Sequence, residues 1–211
     1  MSRPQKNASC GASAPLSKRD SILLAAQDIF LKDGYAAASM DAVAARANVS
    51  KATIYAHFAN KRALFEAMIG ARCTRTFGNL PNPGEYTDAR ETLRQFGEHF
   101  LGLILSPEAL AIHRVVLSEA TRLPEVGEAF YFVGPAQAKA RVADMFRELV
   151  RRNLLIIPDC EIVLLTDLFL SMLKSDMHTR AVLKLPPSGT SIPEVVDMAA
   201  DMIVSRYGVK G

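Results

Sequence analysis

The sequence is short of several things, and each shortage removes a class of protein. No apolar run approaches the ~18 residues needed to span a bilayer. The opening MSRPQKNASCGASAPL lacks the apolar stretch of a secretory signal. Cysteine is scarce: Cys10, Cys73 and Cys160 are odd in number and without CxxC spacing. That argues against a disulfide framework or zinc site and for a reducing cytoplasm. Neither GxSxG, HExxH, a P-loop nor GxGxxG occurs. The four histidines (His57, His99, His113, His178) fall on separate expected helices without metal-ligand spacing. No enzyme activity, metal or cofactor is therefore expected. Stretches of alternating β character are missing too, so the fold class is all-α.

What remains is 49% hydrophobic and 22% charged, ordinary for a globular protein that buries a substantial core. The net charge of +3 conceals an asymmetry. Residues 1–80 hold 11 Lys/Arg against 5 Asp/Glu, and residues 81–211 hold 14 against 17. A basic head on a mildly acidic body suits nucleic-acid binding, and chance solvated charge is the alternative.

Helix signals run almost throughout. The Ser-, Ala-, Gly- and Pro-containing stretch 1–16 reads as a disordered tail. Ser17 caps a helix carrying Ile22, Leu23, Ala26, Ile29 and Phe30, stopped by Gly34. Ser39 is placed to cap a second helix, with Met40, Val43, Ala44 and Ala47 in step. The break Asn48-Val49-Ser50 precedes KATIYAHF, and Asn60 caps a helix with Leu64, Phe65 and Met68. The Pro/Gly-rich stretch at 78–87 is the clearest boundary. Beyond it come expected helices over 89–105, from Pro107 to about residue 121, after Pro124, from Pro135, and over 161–183 and 193–207. The domains expected are a tail (1–16), a DNA-binding head (17–77) and a body for effector binding and dimerisation (78–211).

Two short helices joined by a tight turn form a motif whose second helix can enter the DNA major groove. Here Val49, Ile54 and Phe58 supply the buried faces that fix the crossing. The other face of the second helix offers Ser50, Lys51, Ala52, Thr53, Tyr55, Ala56 and His57, types suited to base-edge, thymine-methyl and phosphate contacts. Lys61 opens the next helix beside free backbone N–H groups, a favourable place for a phosphate.

The run from Ser17 to about Cys73, above all MDAVAARANVSKATIYAHFANKRALFEAM, resembles the DNA-binding domain of the TetR family of bacterial regulators. The resemblance implies an N-terminal three-helix helix-turn-helix domain with a larger helical C-terminal domain. The protein would then be a DNA-binding regulator, expected to be a repressor released from a palindromic operator by a small hydrophobic or aromatic effector. By resemblance, Lys51, Ala52 and Thr53 face bases, Tyr55 and His57 contact backbone, and Ser39 and Lys61 clamp phosphates. Ala56 departs from the aromatic or polar residue usual there. Surface packing for Tyr55, a helix-end role for His57 and a solvated charge for Lys51 are the plainer alternatives.

The body is less legible. The resemblance places a homodimer interface on the last two helices, with Leu165, Phe169, Met172, Val195, Ala199 and Met202 on apolar stripes flanked by Leu164 and Leu168. It places an effector cavity among the helices between 89 and 153, with Phe96, His99, Phe100, His113, Tyr131 and Met145 as candidate lining, beside Phe130 and Phe146. Residues of these types more often belong to plain core, and His99 and His113, whose imidazoles need partners, are the stronger cavity candidates. Cys160, just ahead of a helix, has two readings, an inert buried thiol or a redox-sensitive one.

Overall fold

Serines and aspartates just ahead of apolar-periodic stretches set most helix starts, because their side chains accept from otherwise orphaned N–H groups. The structure, a computed structural model, describes residues 17–77 and 85–209. The tail 1–16 with Cys10, the greater part of the 78–87 break, and residues 210–211 lie outside the described residues.

Ten helices form among the described residues: α1 (Lys18–Ala37), α2 (Met40–Ala47), α3 (Lys51–His57), α4 (Lys61–Phe77), α5 (Ala89–Ile104), α6 (Pro107–Glu119), α7 (Pro124–Val133), α8 (Pro135–Arg151), α9 (Asp159–Val182) and α10 (Ile192–Tyr207). Ser17, Ser39, Ser50, Asp88, Ser106 and Ser191 cap six of them. Proline opens α6, α7 and α8 at the first turn, where its missing N–H costs nothing. Gly34 has φ 77°, so helical geometry is interrupted there as expected, although the α-helical turn resumes to Ala37. No single described helix is long and apolar enough to cross a membrane.

Two cores organise the molecule. Leu93, Phe96, Phe146, Phe169, Val196 and Ile203 centre the body core of α5, α8, α9 and α10. There α5 crosses α9 and α10 so closely at Gly97 that an added Cβ would lie 3.0 Å from Val196 and 3.1 Å from Leu173. The head core joins Ile22, Phe30, Val43, Ile54, Phe58 and Phe65, but it also takes in Ile112 and Val116 of α6 and Val126 and Ala129 of α7. Head and body therefore share hydrophobic packing. Helices α6 and α7, beyond the boundary expected at residue 77, thus contribute to the head core.

Inside α9 the backbone is forced out of helical geometry at Ser175 (φ 42°, ψ −154°), a strained conformation for a residue with a Cβ. Arg114 of α6 ties down the end of that helix, donating to the carbonyls of Val182 (2.7 Å) and Ala181 (2.6 Å).

Candidate nucleic-acid interface and cavity

The turn between α2 and α3 follows from Asn48. It adopts the left-handed conformation (φ 53°, ψ 48°), and its N–H donates to Ala44 and Ala45 carbonyls. Asparagine tolerates that region better than most residues. Val49 packs against the head core, and Ile54 and Phe58 are buried beneath α3. Ser50 then accepts from the Thr53 N–H at 3.1 Å, and its hydroxyl lies 2.8 Å from that of Thr53.

With Ile54 fixed inward, Lys51, Ala52, Tyr55, Ala56 and His57 stand exposed on the outer face of α3, with Thr53 half-buried at its edge. Tyr55 is 47% exposed on that face. Ser39 is exposed and caps α2 through the Ala42 N–H at 3.1 Å. The Lys51 ammonium is not idle: it lies 2.8 Å from Asp41, whose hydrogen bond raises its pKa. Both side chains are largely exposed, so this pair is weak and readily exchanged for a phosphate.

Lys61 is placed differently from expectation. Its ammonium reaches back to the end of α1, donating to the carbonyls of Tyr35 (2.8 Å), Ala36 (3.1 Å) and Ala38 (3.1 Å). It also sits 4.6 Å from the centre of the Tyr35 ring. Three acceptors satisfy all three ammonium donors, so the side chain neutralises a helix C-terminus. Sequence spacing put the cation at the start of α4, and a four-carbon stem carried it elsewhere.

A cavity of about 510 Å³ opens between α4, α5, α6, α7, α8 and α9, a size ordinary for a small-molecule site. Of the candidate lining, Phe100, His113 and Tyr131 face it, together with Phe130, Ile112, Leu170, Lys139, Asp167, Lys174 and His178. Phe96 and Met145 do not, being filled into the body core with Phe146. His99 lies instead along an open groove with Arg72 and Arg75, its Nδ1 2.8 Å from the Gln95 carbonyl. The α9 contributions were missed because that helix was read wholly as interface. Cys73 also lines the cavity, and burial pushes its thiol pKa up. Cys160 is exposed in the first turn of α9, so the buried reading of it does not hold.

Residues 91–209 match the family described as AefR-like transcriptional repressor, C-terminal domain, and residues 22–68 match bacterial regulatory proteins, tetR family. The chain belongs to the TetR family. It is thus a DNA-binding transcriptional regulator, and the all-α head-and-body architecture is that of the family. An HTH-type transcriptional activator, FasR of Mycolicibacterium smegmatis (strain ATCC 700084 / mc(2)155), is 35% identical over 88 residues, 41% of this chain and 40% of that protein. The match therefore spans about two fifths of that relative's length. Solved structures agree over nearly the whole chain. A TetR-family regulator from Mesorhizobium loti MAFF303099 is 25% identical with TM-score 0.74, covering 91% of this chain and 97% of that one. The flavonoid-responsive regulator FrrA is 29% identical with TM-score 0.72, covering 92% and 98%.

In this TetR-family chain the expected dimer stripe also turns inward in part. Leu165, Phe169 and Ala199 are buried in the protomer's own core, and Met172 and Val195 are half-buried. Apolar surface on α9 and α10 that remains outside belongs to Val163, Leu164, Leu168, Met198 and Met202, each more than half exposed. Both faces of these helices are apolar, so helical period alone did not tell which one the protomer keeps for itself.

Proposed function

We propose that this regulator is a cytoplasmic homodimeric repressor that binds a palindromic operator through α3 and leaves it when a small hydrophobic or aromatic ligand enters the cavity. The observation that carries the proposal is that cavity wall and head core share residues. Ile69 of α4 and Ile112 of α6 line the cavity and are buried in the head core at the same time. A ligand that displaces that wall must therefore shift the support of α1 and α3.

Helix α6 has the fixings such a relay needs. Arg114 holds it to the end of α9, His113 faces the cavity, and Glu119 accepts from the Ala36 N–H at 3.3 Å in the head. The ligand acts by binding one arrangement of the two heads more tightly than the other. Dimerisation through Leu164, Leu168, Met198 and Met202 would set two α3 helices roughly one DNA turn (~34 Å) apart, which calls for a palindrome. Base contacts are assigned to Lys51, Ala52 and Thr53, and backbone contacts to Ser39, Ser50, Tyr55 and His57, with Ala56 available to a thymine methyl. Similarity to the flavonoid-responsive FrrA supports an aromatic ligand class. Similarity to FasR, named as an activator, favours activation as the second reading of the output.

The test is fluorescence anisotropy of labelled operator, selected from a random-sequence library, titrated with aromatic and aliphatic ligands. A true effector should weaken operator binding about 5- to 150-fold, a coupling of ~1–3 kcal/mol. If ligands bind the cavity and none shifts operator affinity, the ligand-released reading fails.

A further inference from the structure

The polar surface of the cavity is gathered at one place. Lys174 and His178 of α9 and His113 of α6 line it together, and among the described residues none of the three has a hydrogen-bond or ion-pair partner. The two imidazoles stack at 5.2 Å with 27° between their planes, and His113 also stacks on Phe130 at 5.5 Å. Stacking occupies ring faces and leaves the ring nitrogens, which lie in the ring plane, for other partners. The remaining charges on the wall are already engaged. Lys139 is paired with Asp167 at 2.6 Å, and Arg72 donates to the Ser106 hydroxyl at 2.8 Å with Glu108 at 3.6 Å. Elsewhere the wall is apolar, with Phe100, Leu103, Ile104 and Leu170.

Lys174 lines the cavity with its side chain exposed, and Asp167, the acidic group whose charge acts on it, is already paired with Lys139. The pKa of Lys174 is lowered by partial desolvation first and Lys139 second, with Asp167 pulling the other way. Burial likewise lowers both histidines, His178 to about 4, so at neutral pH each ring is uncharged with one N–H to donate. A neutral ligand would leave the ammonium unpaired, and a cationic one would add repulsion. An anion would satisfy all three groups at once.

Building on the reading of this cavity as the effector site, we propose that its ligand is an amphipathic monocarboxylate, its carboxylate paired with Lys174 and hydrogen-bonded by His113 and His178. The apolar body lies against Phe100 and Leu170. The site discriminates against the neutral alcohol of the same body, because the alcohol leaves Lys174 unpaired.

Calorimetric titration of the full-length protein with 6-phenylhexanoate and with 6-phenylhexan-1-ol tests this. The acid should bind at least about tenfold tighter. In Lys174→Met the two should come within about threefold, with the alcohol's affinity unchanged. Asp167→Asn, which removes the one carboxylate on the wall, should strengthen the acid and leave the alcohol alone. Equal binding of acid and alcohol, a preference that survives in Lys174→Met, or binding of neither would each overturn the proposal. Operator release, followed in parallel, separates the two ideas: the acid preference without release supports the carboxylate seat while removing the effector role.

Discussion

Replacing Lys61 by methionine keeps the apolar stem and deletes the charge, so it isolates the contacts of the ammonium. Three backbone carbonyls at the end of α1, at 2.8, 3.1 and 3.1 Å, lose their donor, and the Tyr35 ring loses a cation 4.6 Å from its centre. Hydrogen bonds to a charged group are worth ~1.5–3 kcal/mol and a partly exposed cation–π contact ~0.5–1 kcal/mol. These contributions overlap on one ammonium, which gives a loss of about 2–4 kcal/mol. For a chain of this length that corresponds to a fall in Tm of roughly 4–16 °C, measured by circular dichroism at fixed protein concentration because the proposed dimerisation would make Tm concentration-dependent. The salt dependence of DNA binding should keep its slope. A Tm within about 1 °C of the parent, with a salt slope reduced by about one per protomer, would instead make Lys61 a phosphate contact.

Lys51→Ala should cost ~1–3 kcal/mol of discrimination between operator and random DNA, whereas Asp41→Asn, which frees Lys51, should tighten both; the same anisotropy titration reads each. The unfolded His178 ring titrates near 6.5, and in the fold burial, His113 and Lys174 push it down to about 4. The unfolded chain then binds more protons between those values, so stability is full above about pH 6.5 and falls as pH drops towards 4. Urea unfolding should show His178→Phe flattening that fall by up to about 3 kcal/mol, and an unchanged profile would contradict it. Leu164→Glu should yield monomers by light scattering and abolish operator binding, and a stable dimer would move the interface elsewhere.

How far the sequence alone reaches depends on whether local chemistry or tertiary packing decides the outcome. Ser39, Asn48, Ser50 and Asn60 act through bonds three or four residues away, so the helix-turn-helix and its exposed face were legible in full. Pro107, Pro124 and Pro135 opened helices for the same local reason. Lys61 was not legible, because its acceptors lie 23–26 residues earlier and only the fold brings them within reach. Lys174 and His178 were overlooked since α9 serves core, cavity and outer surface at once, and an apolar period distinguishes none of these. Phe96 and Met145 were placed at the cavity by residue type alone, and large apolar side chains go to the core more often than to a pocket.

Sequence-specific DNA recognition is assigned to α3. Anisotropy titration of the selected operator and a scrambled duplex across a range of NaCl concentrations tests it most directly. Affinity for both should fall steeply with salt, and the operator should bind about 10³-fold or more tighter at physiological salt. Equal affinity for the two duplexes, or binding of neither, would contradict it.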